Sequence, residues 1–337
     1  MKAAVLKEKN IFGIQDVPKP VLESKGAIVR ILGCGLCGSD VVKMRTSAKE
    51  GAILGHEIVG IIEEINTETD FKIGDKVVLG HHVPCFSCEF CRGESYSMCK
   101  TFKKTNIKPG GFCEYLRISE AHLKNTVCKV ETDMSDILAS FTEPLSCCIR
   151  AVKRGEIKEG DTVLIVGLGS IGLLMGQAAK VYGAKVIGCD ILQERLSVAK
   201  KIGFDETILY QSNDTTSGLL KKKIGAVSGV DKVILTAGND NSVDFSLKSV
   251  RDGGTIVVFA SIKSNDKGFA NNEVYYRELS IKASYSPSPA DIKESFSLLK
   301  SGKINIENIT AVYDLANLNQ AVADFVGNKI LKAYIKI

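Results

Sequence analysis

The 337-residue sequence predicts an α/β fold in which a parallel-sheet unit, about residues 146–285, interrupts a β-rich unit made from both ends of the chain. Three observations predict it. The length is about twice what one domain of ~100–200 residues needs. Up to about residue 145, Gly, Pro and Asp break the chain into short apolar runs, whereas beyond Gly160 strands alternate with helices of three or four turns. Such alternation means βαβ units and a parallel sheet. Finally, a Gly-rich turn joins the first of these strands to the first helix.

Composition excludes several classes. With 45% apolar and 25% charged residues the chain can fill packed cores, which rules out a disordered or fibrous protein. A net charge of +5 over this length is too mild for a nucleic-acid or membrane-surface footprint. The N-terminal residues Met1–Glu8 hold no apolar run or cleavage site of a signal peptide. The uncharged run between Asp161 and Lys180 reaches the lower bound for a membrane span. Gly167, Gly169, Ser170, Gly172 and Gly176 break that run, which reads instead as a buried strand–turn–helix. A cytoplasmic protein is expected.

In the first part, strands are expected around Ala27–Leu32, Ile58–Ile65 and Lys76–Leu79. The α/β part starts with strand Thr162–Val166, helix Ser170–Tyr182 stopped by Gly183, and strand Lys185–Cys189. Helix Leu192–Ile202, strand Lys232–Thr236, helix Ser242–Val250 and strand Thr255–Ala260 continue the rhythm, with Leu279–Ser284 closing it. Ser288-Pro289-Ala290-Asp291 then supplies an N-cap, a proline at the first helical position and an acid in the first turn, and Gly302 ends that helix. Ala333–Ile337 alternates in the manner of an edge strand.

The turn Gly167-Leu168-Gly169-Ser170-Ile171-Gly172 is G-x-G-x-x-G, set between a strand and a helix. Its first glycine permits the tight turn, the second lets a pyrophosphate approach the backbone, and the third lets helix pack on strand. Asp190 ends the next strand, one helix and one strand beyond Gly172, where a partner for a ribose 2′-hydroxyl belongs. A carboxylate there repels a 2′-phosphate, so NAD is the expected cofactor. Arg195, a helical turn further on, is a candidate contact of the same site, with a surface pairing as its alternative.

Cys85, Cys88, Cys91 and Cys99 fall in one short segment and offer four thiolates to a tetrahedral Zn²⁺. An iron–sulfur run would place its fourth Cys after three residues and before Pro; here the gap is seven and Lys100 follows. Arg92, Lys100, Lys103 and Lys104 lie near enough in sequence to offset the charge, and a closed site of this kind is structural. A second set is scattered: Cys37 in Gly35-Leu36-Cys37-Gly38-Ser39-Asp40, His56 and Glu57 in Gly55-His56-Glu57, and Glu143 before Pro144. Each alone reads equally as a core filler or a cap. Cys34 and Cys37 lack the context of a thioredoxin-like redox pair. His81 and His82 read as loop residues, and His122 has no evident context.

The five motifs in this order resemble the zinc-containing medium-chain alcohol dehydrogenases over essentially the whole chain. Glu143-Pro144-Leu145-Ser146 is similar to the polyol branch, as in sorbitol (L-iditol) dehydrogenase, with the threonine dehydrogenase branch its neighbour. The resemblance implies a GroES-like catalytic domain at residues 1–145 and 286–337, carrying two zinc sites, and a Rossmann dinucleotide-binding domain at 146–285. It implies a catalytic Zn²⁺ held by Cys37, His56 and a carboxylate from Glu57 or Glu143, with Ser39 taking the alcohol proton. Two positions depart from the family. Val42 stands where a relay histidine is usual, and Asn66 stands where Gly or Ala is usual, a residue that tolerates positive φ. The resulting expectation is NAD-linked oxidation of a polyol, sugar or cyclitol by a homodimer or homotetramer, without nucleic-acid or membrane partners. An amino alcohol such as L-threonine is the alternative substrate, and a zinc-loop nucleic-acid-binding protein the alternative class.

Overall fold

The computed structural model describes residues 1–225, 228–238, 240–261 and 268–337. The chain divides into two compact units: Met1–Ser146 with Pro287–Gly302 and Ile309–Ile337, and Cys147–Ser286 with Lys303–Asn308.

The second unit is built on a six-stranded sheet. Its strands run side by side as Glu206–Leu209, Lys185–Asp190, Thr162–Val166, Val230–Leu235, Val250–Val258 and Ser280–Ala283, and every neighbouring pair is parallel. Thr162–Val166 is apolar in four of five positions and those four are buried, as a parallel strand covered on both faces requires. In chain order the sheet reads third, second, first, fourth, fifth, sixth. The connection therefore reverses between Thr162–Val166 and Val230–Leu235, which is where doubly wound sheets bind ligands. Glycine in helix Ser170–Val181 admits a close neighbour: a Cβ on Gly176 would meet the ring of Phe204, in the loop before strand Glu206–Leu209, at 2.0 Å. The uncharged run 162–179 is thus strand, turn and helix, and no helix among the described residues is long and apolar enough to cross a membrane.

The first unit is β-rich. Its long strand Gly26–Leu36 pairs antiparallel with Glu57–Ile65, Tyr115–Ser119 and Lys332–Lys336. Beyond these lie Lys76–Leu79 and Val127–Lys129 on one side and Thr310–Asp314 on the other. The last strand corrects one expectation. It is not an edge: it runs parallel to Thr310–Asp314 and antiparallel to Gly26–Leu36, and Lys332, Ala333, Tyr334 and Ile335 are buried. Local alternation cannot report this, because the partner strand comes from the opposite end of the chain.

Helix Pro289–Lys300 forms as its sequence signals dictate. The Ser288 hydroxyl accepts from Asp291 N while the Asp291 carboxylate accepts from Ser288 N, and Gly302 follows with φ +69°. Asn66 is a second correction: it has no positive φ and serves through its side chain, accepting from Gly26 N at 2.8 Å and donating to Ser24 O.

Candidate metal and cofactor sites

The cysteine loop brings its four sulfurs together, all within 4.8 Å of one another. Cys85–Cys91, Cys88–Cys91 and Cys85–Cys99 Sγ distances are 3.9, 3.6 and 3.5 Å. A tetrahedron of Zn–S bonds of ~2.3 Å has edges of about 3.8 Å, and a disulfide would need ~2.05 Å, so the spacing fits one shared metal ion. The amides of Cys85 and Cys88 point at Cys99 and Cys85 Sγ, the donors thiolates need. Cys91, Cys99 and Phe102 form a small buried cluster of their own, so little apolar packing holds this loop. Of the cations near this loop in sequence, Arg92 donates its guanidinium to Ser87 O at 2.6 Å, bracing the loop backbone.

The scattered set also converges, from strand ends of the first unit. Cys37 Sγ, a His56 nitrogen and a Glu57 carboxylate oxygen lie within 4.8 Å of one another. Cys37 follows strand Gly26–Leu36 and caps helix Gly38–Thr46, whose N-terminus stabilises negative charge on the sulfur. Glu57 opens the adjacent strand directly opposite Gly35, and a Cβ on Gly35 would meet Glu57 Oε2 at 1.9 Å. Only glycine leaves room for that carboxylate.

Asp40 orients the histidine. Its Oδ1 lies 3.1 Å from His56 Nδ1 and accepts from Gly55 N, while Oδ2 accepts from Cys37 N. Neutral His56 then carries its proton on Nδ1 and turns the Nε2 lone pair toward the thiol, the arrangement in which a carboxylate braces a metal-binding imidazole. Burial pushes the His56 pKa down, but the Asp40 charge and hydrogen bond and the Cys37 sulfur outweigh it and raise it well above 6.5. A proton and a metal ion thus compete for the same nitrogen. Ser39 is exposed, with Oγ 3.5 Å from His56 Nε2.

Glu143 lies in the first turn of helix Thr142–Arg154 and is buried, but the three-ligand group does not include it. Its Oε1 stands 3.6 Å from His81 Nδ1. His81 is therefore more than a loop residue: it is buried, and its ring packs 4.7 Å from His56 and 4.2 Å from His82. His122 gains a context too, with Nδ1 2.8 Å from Ser119 Oγ and Nε2 3.1 Å from His81 O. Burial lowers the pKa of His81 and His122, and takes that of His82 to about 4. Lys332 carries no local signal in the sequence. Its ammonium is buried and paired with both oxygens of Glu57, at 2.5 Å from Oε1.

In the second unit the three glycines of the turn do different jobs. Gly167 has φ +93°, and a Cβ on Gly172 would strike Gly167 O at 1.9 Å. Beside Gly169 a Cβ would meet nothing within 4 Å, which is the open approach a pyrophosphate needs. Ser170 begins the helix and Ile171 follows it, so their amides belong to the free N-terminal turn. A cleft of ≈ 340 Å³ opens beside Gly167, lined also by Asp190, Arg195, Tyr210 and Phe245. Asp190 is already much engaged: Oδ2 accepts from Leu168 N at 2.6 Å and from Arg195 at 3.3 Å, and Oδ1 from Leu192 N at 2.9 Å. The surface pairing expected for Arg195 is thereby corrected, since it pairs with the carboxylate in the cleft.

Comparison with known proteins agrees with this geometry. Residues 23–129 match the alcohol dehydrogenase GroES-like domain, and residues 170–301 match the zinc-binding dehydrogenase domain. The chain is 30% identical over 337 residues to a probable D-xylulose reductase A of Emericella nidulans, covering 95% of this chain and 92% of that one. It is 31% identical to the sorbitol dehydrogenase of Bacillus subtilis, over 79% of this chain and 76% of the relative. Galactitol-1-phosphate dehydrogenase of Escherichia coli superposes with a TM-score of 0.87 at 25% identity, covering all of both chains. The chain belongs to the zinc-dependent medium-chain alcohol dehydrogenases and is an oxidoreductase of that family.

Proposed function

We propose that this enzyme oxidises a secondary alcohol of the polyol, sugar or cyclitol type, using zinc at Cys37, His56 and Glu57 and NAD in the Gly167–Asp190 cleft. The observation that carries the reading is the convergence of thiolate, imidazole and carboxylate, with Asp40 fixing the imidazole. Names of relatives support the substrate class: a D-xylulose reductase, a sorbitol dehydrogenase and a galactitol-1-phosphate dehydrogenase. When bound, zinc supplies the Lewis acidity that makes an alcohol hydroxyl easier to deprotonate, and NAD supplies the hydride acceptor.

The chain's own residues do the rest. Asp40 keeps the metal-binding lone pair of His56 exposed to the site. Ser39, exposed beside His56 Nε2, takes the hydroxyl proton and passes it to solvent, because Val42 offers no relay. Glu143, buried beside His81, tunes the charge of the site. Cys85, Cys88, Cys91 and Cys99 hold a second, structural zinc. Resemblance supports a homodimer or homotetramer acting on a small molecule in the cytoplasm, and the mild charge supports the lack of a nucleic-acid partner.

NADH formation across a panel of polyols, inositols, phosphorylated polyols, ethanol and L-threonine tests the proposal. Activity is expected on at least one vicinal diol, with ethanol poor, because a site built to bond a second hydroxyl penalises its absence by ~10⁴-fold. A preference for L-threonine or primary alcohols would overturn the substrate class.

A further inference from the structure

Lys332 is buried as deeply as the core around it, with 3% of its surface exposed, and its ammonium bonds a carboxylate that is 0% exposed. A buried ammonium is costly unless its charge is matched, and so is a buried carboxylate. The pair could have been replaced by apolar residues, as buried ion pairs often can without loss of stability. Its position gives another reason for it. Lys332 precedes Ala333, which lies opposite Leu36, so the final strand delivers the ammonium beside the segment that ends at Cys37. After Glu57, the negative groups that act on it are Cys37 and Glu143. Those three ligating or flanking groups carry one more negative charge than a divalent metal offsets, while Asp40 is shared with His56 and has Lys43 nearby.

We infer that Lys332 is a positioning residue that holds back the Glu57 carboxylate, sharing it with the metal ion and keeping the site electrophilic. The inference rests on the proposal that Cys37, His56 and Glu57 bind the catalytic zinc. With Lys332 present, its ammonium stands against both Glu57 oxygens but donates a hydrogen bond only to Oε1, leaving Oε2 as the oxygen free to reach the metal, so the carboxylate is a weak donor to the metal. With the ammonium gone, the carboxylate has only the metal to neutralise it. The metal is then bound more tightly and is a poorer Lewis acid. A merely structural lysine predicts the opposite sign, a loosened site that loses metal as it loses packing.

The test compares wild-type, Lys332→Met, Lys332→Arg, Glu57→Gln and Lys332→Met/Glu57→Gln proteins. Zinc content and the zinc dissociation constant are measured by chelator competition, and cobalt exchanged into the Cys37 site reports coordination through its visible spectrum. Lys332→Met is expected to bind this zinc at least about tenfold more tightly, within the ~10–100-fold range of such outer partners. It should also shift the cobalt bands and lower kcat more than it changes KM. Lys332→Arg should restore the wild-type spectrum, and in the Glu57→Gln background the same Lys332→Met change should have little effect. If Lys332→Met does not fold, the comparison of the double variant with Glu57→Gln decides: matching cobalt spectra support the inference and differing ones overturn it. Weaker or unchanged zinc affinity with an unmoved spectrum in Lys332→Met also overturns it. Wild-type protein with one zinc per chain would overturn both the inference and the proposal beneath it, whereas two zincs with an inert Lys332→Met overturns the inference alone.

Discussion

The two cysteine-bearing clusters of the first unit meet the same chemical demand by opposite routes. The Cys85–Cys99 cluster is local: four thiolates on one loop, braced by backbone amides, beside a satellite core of three residues. The Cys37–His56–Glu57 cluster is global. Its members end different strands of a large sheet, and Asp40, His81, Glu143 and Lys332 surround it from positions spread over almost the whole chain. A site whose ligands are close in sequence can itself fold a loop; a site assembled by a finished sheet is free to be reactive. The fold should therefore depend on the first cluster and turnover on the second.

The sharpest way to break this comparison is to exchange one sulfur for oxygen in each cluster. Cys37→Ser is expected to abolish turnover while leaving the fold intact, since Ser is also a good N-cap for helix Gly38–Thr46. Cys99→Ser should instead lower the melting temperature and the zinc content, because structural zinc binding energy is folding energy, ~10–16 kcal/mol in zinc-finger peptides. Circular dichroism, calorimetry and metal analysis on the two variants check both halves. A Cys37→Ser protein that still turns over, or a Cys99→Ser protein as stable as wild type, would erase the distinction.

A smaller effect is expected one bond further out. Asp40→Asn keeps the shape but weakens the charge that braces His56, and should cost about 10–100-fold in kcat/KM or zinc affinity. The same change should leave the cysteine-loop zinc in place, which metal analysis reads directly.

Acid should act on the global cluster through its surroundings. His81, His82 and His122 are held with lowered pKa by burial, His82 at about 4, against 6.5 when exposed. Between those values the unfolded chain binds more protons at His82 than the folded one, so the stability this histidine contributes is full above pH 6.5 and is lost as pH drops toward 4, with His81 and His122 acting in the same direction. Urea midpoints at pH 7 and pH 5 should show that fall, and His82→Gln should make it shallower. Equal pH sensitivity in wild type and variant would assign the fall to other groups.

The least effect concerns the cofactor cleft. Asp190 disfavours a 2′-phosphate, but Arg195 at 3.3 Å offsets part of its charge. NAD should be preferred over NADP by about tenfold, the factor that ~1.4 kcal/mol gives. Arg195→Ala should widen that ratio and Asp190→Ser should narrow it, as kcat/KM with each cofactor will show. A ratio unmoved by either change would place the ribose elsewhere.

What the sequence determined by itself lies close along the chain, although the four-residue strand Glu206–Leu209 and the largely polar helix Asn213–Ile224 carry too weak an apolar pattern to be read there. The parallel α/β rhythm, the glycine turn with its three separate steric jobs, the Ser288 cap and the four-thiolate loop were all legible, because each rests on spacing within a single short stretch. Cys37, His56 and Glu57 were legible as candidates only through family resemblance, since nothing local distinguishes a ligand from a filler. Asp40 stands in the Gly35–Asp40 motif, and its spacing of three from Cys37 is the signal of a side chain turned back on its own helix start. His81 and Lys332 carried no local signal at all. Only the tertiary structure decided them: the final strand, which alternates like an edge, enters the middle of the sheet. There it places a lysine against a carboxylate 275 residues away, a pairing set by sheet register and burial rather than by any pattern along the chain.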